Sequence, residues 1–269
     1  MSASPLSTRR ALITGASAGI GEAFAREFAG HGFDLVLVAR NRQKLEKLAT
    51  ELRQNHSIDV AVMPCNLLDP GAPRQLFDDC ADLDVDVLIN NAGIMYHGEF
   101  AEQELENIHD IVQLNIASLT SMTRLFLEPM LAQGRGRIMN ITSTTDFQAG
   151  PTIAVYAASK AYILSFTEAL AEELRDSGVS ATAFCPGSTD THMVATSFGE
   201  DLRTDPVGSL LMMSTDAVAR SGYKACMAGA TISVPGVANN IITTLGRLQP
   251  KWFSRRFQSY MYRKFLDGA

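Results

Sequence analysis

The sequence predicts an α/β fold built on a doubly wound parallel sheet, and three observations carry that prediction. Short β-branched apolar runs alternate with longer amphipathic stretches. Such runs fit strands buried on both faces and joined by crossover helices. A turn with glycines at Gly15, Gly19 and Gly21 directly follows the first run. The chain has 269 residues, 46% hydrophobic and 19% charged, enough to bury a sizeable core in one large domain.

The elements follow in order. Residues 11–14 read as a buried strand and 20–30 as a helix with Ile20, Phe24 and Phe28 on one face. Residues 35–39 are a second strand, and 42–55 a polar helix turning Leu45, Leu48 and Leu52 inward. Strand, helix and strand follow at 60–64, 73–80 and 85–90. The stretch 102–131 has room for two helices or one long one. A strand at 137–142, a helix at 155–177 and a strand at 180–185 complete the alternation, and residues 231–235 lead into an apolar helix. No repeat, low-complexity segment or linker divides the chain. Residues 1–269 therefore read as a single domain, with 1–8 expected to be disordered.

Composition narrows the function classes. A net charge of −6 gives no support for nucleic-acid binding. The four cysteines are scattered without CxxC spacing, which fits reduced thiols and neither a zinc site nor a disulfide framework. Residues 1–10 hold no apolar segment of signal-peptide length, and no run approaches the roughly 18 apolar residues of a membrane span. The expected compartment is the cytoplasm.

Two motifs carry chemistry. Residues 14–21, Thr-Gly-Ala-Ser-Ala-Gly-Ile-Gly, join the first strand to the first helix. Glycine there permits positive φ, close backbone approach and tight helix packing, and the helix start favours a pyrophosphate. A flexible turn is the alternative; the position after the first strand favours a dinucleotide. Tyr156 and Lys160 lie four apart on a helix and share a face. A lysine ammonium beside a phenol favours the phenolate, making a proton donor and acceptor usable near neutral pH. Such a pair also arises by chance on solvated helices.

Together, the glycine turn, Asn90-Asn91-Ala92-Gly93, Asn115, Ser143, Tyr156/Lys160 and Pro186-Gly187 resemble the short-chain dehydrogenase/reductase family. Order and spacing match over residues 10 to 192, and Ser143 stands 13 residues before Tyr156. The resemblance implies a Rossmann fold. It implies that Tyr156 exchanges a proton with substrate oxygen and that Lys160 bonds the nicotinamide ribose and lowers the tyrosine pKa. It further implies that Ser143 positions the substrate oxygen and that Asn115 holds a water linking Lys160 to solvent. Asn115 bonding a neighbouring carbonyl and Ser143 acting in an ordinary strand-end turn are the alternatives.

Cofactor contacts come from the same resemblance. Gly15, Ser17, Gly19, Ile20 and Gly21 correspond to the phosphate turn, Asn90 to the adenosine-ribose contact and Asn66 to the position near the adenine, with Leu67, Ala92 and Gly93 beside them as further cofactor-binding residues. Asn66 stands where the family usually has Asp. Pro186, Gly187, Thr189 and Thr191 resemble the loop that bonds the carboxamide. The second strand ends in Arg40-Asn41-Arg42 with no acid to bond ribose hydroxyls. Cations at Arg40, Arg42 and Lys44 oppose the macrodipole of the helix they begin. A guanidinium grips a 2′-phosphate, so NADP(H) is the expected cofactor, with Arg40 the main contact, Arg42 a second candidate, and NAD(H) still possible. Ala18 replaces a residue that is often basic in the family.

The C-terminal third is similar to bacterial reductases of the DltE type. Residues 189–216 correspond to the family's variable substrate loop; they are apolar and methionine-rich, which fits a greasy pocket or equally a core stripe. Residues 247–266 mix six cations with six aromatics and no acid. A docked terminal helix ranks first for the 247–269 segment, a lid or subunit contact second, and contact with an anionic membrane third. The expected function is hydride transfer between NADP(H) and an apolar carbonyl or secondary alcohol, by a homodimer or homotetramer, with no metal. A dinucleotide-sensing or scaffold protein without turnover is the competing reading, and an epimerase or dehydratase of the same superfamily is a third.

Overall fold

The computed structural model describes residues 9–147, 149–189 and 212–248, together with Trp252, Arg256 and Ser259. Seven strands form one sheet: β1 (Arg10–Thr14), β2 (Asp34–Ala39), β3 (Val60–Pro64), β4 (Val87–Asn90), β5 (Gly136–Ile141), β6 (Val179–Phe184) and β7 (Ile232–Ser233). All pairs are parallel, in the order β3-β2-β1-β4-β5-β6-β7. This is the doubly wound Rossmann arrangement. The chain winds one way from β1 to β3 and the other way from β4 onward. The crevice at the carboxyl ends of β1 and β4 is therefore the expected ligand position.

The strand residues alternate between two cores, as the period of two requires. Ala11 and Ile13 of β1 face one core with Leu35, Leu37 and Phe184. Leu12 faces the other with Val36, Leu88 and Ile138. Helices α1 (Gly19–Gly30) and α2 (Arg42–Asn55) cover the first face with Phe24, Phe28, Leu45 and Leu52. On the second face α3 (Ala72–Asp79), α5 (Leu119–Gln133) and α6 (Ala154–Glu173) contribute Leu76, Phe126 and Leu170. Each large side chain buried this way stabilises the fold by about 1.5–3 kcal/mol.

The stretch foreseen as one or two helices is a single helical run with an irregular middle. α4 (Leu105–Ile111) passes through a π-helical segment, Val112–Ser118, into α5. π-helical turns occur often at functional sites. The helix expected over 155–177 ends earlier, at Glu173, because the chain reverses through left-handed Asp176 and Gly178.

Helix α7 (Thr215–Met227) stands outside the expected alternation. Ser214 caps it, accepting the Ala217 amide at 3.3 Å. Its buried face is Val218, Ala219, Gly222, Ala225 and Cys226. Small residues give little apolar periodicity, yet they permit close packing on α1: a Cβ on Gly222 would stand 2.6 Å from the Phe24 ring. The apolar helix foreseen after residue 236 is α8 (Val237–Leu248).

Candidate active site

The glycine turn is built around Thr14. Its Oγ1 accepts the Asn91 and Ala92 amides, both at 2.9 Å, and Asn91 Nδ2 donates to the Thr14 carbonyl at 2.9 Å. These bonds clamp the end of β1 to the end of β4. Gly15 has φ 68° and Gly19 φ 60°, a region that suits glycine. A Cβ on Gly15 would stand 2.8 Å from Asn91 Nδ2, and one on Gly21 would collide with the Gly15 carbonyl. No side chain caps α1, since Ala18 holds the capping position. The first-turn amides are thus left for an anion.

Next to the turn, a cavity of about 380 Å³ is lined by Gly15, Ser17, Arg40, Asn66, Leu67, Ala92 and Gly93. Asn41 and Lys44 line it too. Asn41 caps α2 by accepting the Lys44 amide at 3.0 Å. That bond fixes the helix start, so Arg40 and Lys44 meet at one wall. Arg42 does not join them. It faces Glu46 at 3.8 Å and lines a separate groove with Cys65, Asp69 and Asp79. The cation pair at this cavity is therefore Arg40 with Lys44, in place of Arg40 with Arg42. Asn66 is partly engaged, donating to Asp69 at 3.2 Å.

A second cavity, of about 220 Å³, shares Gly15, Ala92 and Gly93 with the first. Gly19, Ile20, Ser143, Tyr156, Lys160, Pro186, Gly187 and Thr189 complete its wall. Lys160 Nζ donates to the Ile141 carbonyl at 2.8 Å and lies 5.6 Å from the centre of the Tyr156 ring. Burial pushes the Lys160 amine down to about 8, against the pull of Asp146, which favours the ammonium. Ser143 Oγ accepts the Thr145 amide at 3.2 Å. Thr189 Oγ1 donates to the Gly187 carbonyl at 3.0 Å.

Three expected residues stand behind these walls. Asn115, inside the π-helical segment, is buried. Its Oδ1 accepts the Ile94 amide at 3.0 Å, while Nδ2 donates to the Ile94 carbonyl at 3.0 Å and to Ser159 Oγ at 3.1 Å. The side chain is a brace between the strand-four loop and α6. Asn90 is buried as well, its Nδ2 shared between Thr123 Oγ1 at 3.0 Å and Asn140 Oδ1 at 2.9 Å. That amide nitrogen is engaged within the fold, and Asn90 lines neither cavity. Gly21 serves packing. Thr191, most of 189–216 and nearly all of 247–269 lie outside the described residues.

Sequence reasoning gave no role to Thr14 and Asn91 within their motifs, named Lys44 only among the cations at the start of α2, and passed over Asp146. Asp146 Oδ2 accepts the Ser143 amide at 3.1 Å. The signal for it was present: Ser143-Thr144-Thr145-Asp146 has capping-box spacing. Burial pushes the Asp146 carboxyl up to about 6. Two adjoining cavities, an uncapped helix start and a cleared glycine turn fit a dinucleotide lying from Arg40 to Lys160.

Comparison with known proteins agrees with this geometry. The family model described as short chain dehydrogenase matches residues 9–201. A very-long-chain 3-oxoacyl-CoA reductase-like protein of Arabidopsis thaliana is 34% identical over 190 residues, 69% of this chain and 61% of that relative. The matched region is thus under two thirds of that protein's length. The 17-beta-hydroxysteroid dehydrogenase type 3 of Mus musculus is 29% identical over 259 residues, 95% of this chain and 80% of the relative. Among solved structures, a short-chain dehydrogenase from Sphingobium yanoikuyae in complex with NADPH superposes with TM-score 0.79 at 30% identity, covering 88% of this chain and 92% of that one. The chain belongs to the short-chain dehydrogenase family and is an NAD(P)-dependent oxidoreductase.

Proposed function

We propose that the protein uses NADP(H) to interconvert an apolar carbonyl compound and its secondary alcohol, with Tyr156 as general acid and base. The observation that carries this reading is the meeting of Ser143, Tyr156 and Lys160 at the wall of one cavity that shares Gly15, Ala92 and Gly93 with the Arg40–Lys44 cavity. A bound nicotinamide supplies or accepts the hydride. Tyr156 gives its phenolic proton to the substrate oxygen as negative charge develops there, and takes it back in the alcohol direction. The Ser143 hydroxyl donates to the same oxygen, while its Oγ accepts the Thr145 amide. Lys160, held by the Ile141 carbonyl, would bond the ribose hydroxyls of a bound cofactor and favours the phenolate.

The preference for the phosphorylated cofactor rests on Arg40 and Lys44 at a helix start whose first turn has no acid. A guanidinium and an ammonium there suit a 2′-phosphate and leave ribose hydroxyls without a carboxylate partner. An apolar substrate fits the methionine-rich stretch at 189–216. It also fits the substrates named for relatives, a 3-oxoacyl thioester, a hydroxysteroid and, for a Comamonas testosteroni enzyme at 26% identity, a bulky-bulky ketone. The test is a titration of the purified chain with NADPH and NADH, then a panel of bulky ketones and aldehydes with the tighter cofactor. Binding of NADPH with oxidation on a bulky ketone is the expected result. Absence of binding by either cofactor overturns the reading, and binding without turnover across the panel favours a dinucleotide sensor.

A further inference from the structure

Among the described residues, two that are not glycine hold a positive φ: Asp176 at 67° and Thr152 at 66°. Aspartate tolerates that region in turns, whereas a β-branched residue there is strained. Such strain persists only where the surroundings over-determine it, and it gathers at functional sites. Thr152 is buried and tied down at both of its oxygens. Its carbonyl accepts the Gly98 amide at 2.9 Å and Gln103 Nε2 at 3.4 Å, and its Oγ1 shares a hydrogen bond with His97 Nε2 at 2.9 Å. All three partners belong to the segment that follows β4. Gln103 Nε2 also ties that segment to itself, donating to the Gly98 carbonyl at 2.8 Å. A glycine would hold the same backbone without strain but would lack the hydroxyl. The bond to His97 is what the threonine adds.

Thr152 stands at the entrance to α6. Ile153, the capping residue of that helix, makes no side-chain cap bond, and its carbonyl accepts the Ala157 amide at 2.9 Å. The backbone at 152–153 therefore decides where the helix starts and how its first turn is rotated. Tyr156 lies in that turn. Further along, Asn115 ties Ser159 to Ile94, which also lies in the segment after β4. Ser159 Oγ in turn donates to the Tyr156 carbonyl at 2.7 Å. Tyr156 is thus bracketed, with one segment holding α6 before it at Thr152 and after it at Ser159. The same segment gives Ala92 and Gly93 to both cavities. We propose that Thr152, held by His97 and Gln103, is a positioning residue of this site: it locks the start of α6 to the loop after β4 and so sets the place of the Tyr156 phenol. The proposal rests on the reductase reading above for its catalytic consequence.

Thr152→Gly keeps the left-handed backbone and removes the hydroxyl, His97→Ala removes its partner, and Thr152→Ser keeps the bond. Two readouts on the full chain separate positioning from mere folding. The first is hydrogen exchange at the two ends of α6: the Ala157 amide, and the Leu174 amide, which bonds the Leu170 carbonyl at 3.0 Å. Exchange at Ala157 is expected to rise by about tenfold in Thr152→Gly and His97→Ala, with Leu174 unmoved. An unmoved Ala157, or an equal rise at both amides, overturns the proposal. The second is steady-state kinetics with NADPH on a ketone that the protein reduces. In each of the two variants kcat is expected to fall by about tenfold or more, while NADPH affinity stays within about threefold. Both changes break one bond, so the double variant is expected to lose no more than the larger single loss. Additive losses, or an unchanged kcat in both single variants, overturn it. Thr152→Ser is expected to stay within about twofold of the unsubstituted protein, since its hydroxyl still reaches His97. A loss in Thr152→Ser as large as that in Thr152→Gly also overturns it. If Thr152→Gly does not fold, His97→Ala and Thr152→Ser decide by the same exchange readout. Failure of the unsubstituted protein to reduce any carbonyl would sink the reductase reading and leave exchange at Ala157 to decide whether Thr152 locks the helix start.

Discussion

Lys160 Nζ donates to the Ile141 carbonyl at 2.8 Å, so the last residue of β5 holds a buried ammonium that α6 delivers one turn after Tyr156. This contact has a consequence for stability. Burial lowers the Lys160 pKa from 10.5 to about 8. Between those values the unfolded chain binds more protons than the folded one, so this group makes stability rise with pH. Below about pH 8 its burial penalty is full. Urea midpoints from pH 7 to 10 are expected to show the unsubstituted protein gaining on Lys160→Met as pH rises. A constant difference between the two would contradict the assignment.

Tyr156→Phe removes the only proposed proton donor and leaves the cavity wall in place. Turnover is expected to fall by about 10²–10⁴-fold, the usual worth of a positioned acid. NADPH affinity is expected to stay within roughly threefold, since a phenol-to-phenyl change keeps the bulk of the wall. Steady-state kinetics with a fluorescence titration separates the two effects. Retained turnover rules out Tyr156 as the acid.

Arg40→Ala tests the cofactor assignment. A charge-assisted contact to phosphate is worth about 1.5–3 kcal/mol, or roughly 10- to 100-fold in NADPH affinity. NADH lacks the 2′-phosphate and should lose little. Lys44→Ala should weaken NADPH in the same sense by less, and Arg42→Ala should leave it unchanged because Arg42 turns to Glu46. Calorimetric titration of both cofactors reads this directly. Equal losses for NADPH and NADH from Arg40→Ala would remove the phosphate contact.

What the sequence shows of this molecule follows from which signals are local. Buried parallel strands need continuous apolar runs, so β1, β2, β3 and β6 are legible within a residue or two. Spacing on one helix brings Tyr156 and Lys160 to one face, and the 13-residue interval brings Ser143 to them. What stays hidden depends on distant partners. Asn115 is spent on Ile94 and Ser159, which are 21 and 44 residues away. Asn90 turns toward Thr123 and Asn140. Lys44 rather than Arg42 reaches the cavity because Asn41 sets where α2 begins. Helix α7 is missed because its buried face is small residues matched to Phe24 and not a stripe of large ones.

Asn115→Ala breaks the three bonds that tie the loop after β4 to α6. The Ile94 amide and carbonyl are left without their side-chain partner, at about 1–3 kcal/mol for a buried group. Stability is expected to fall by roughly 2–3 kcal/mol in chemical denaturation. The same change should lower turnover more than cofactor affinity, since Ser159 and Lys160 are neighbours on α6. A loss below about 0.5 kcal/mol would mean that water replaces the amide without cost.

Gly21→Ala separates the shape of the phosphate turn from its charge. A Cβ there collides with the Gly15 carbonyl and stands 2.5 Å from Asn91 Nδ2. Gly15 sits at positive φ, and Asn91 is bonded to Thr14, so neither yields without moving the turn. The turn must open, which carries the α1 amides away from where a pyrophosphate would lie. Both cofactors carry that pyrophosphate. NADPH and NADH are therefore expected to lose affinity together, by roughly tenfold or more, in contrast to the selective loss from Arg40→Ala. Circular dichroism and thermal melting check that the fold survives. A variant that folds and binds both cofactors as before would show that the turn is not the pyrophosphate site.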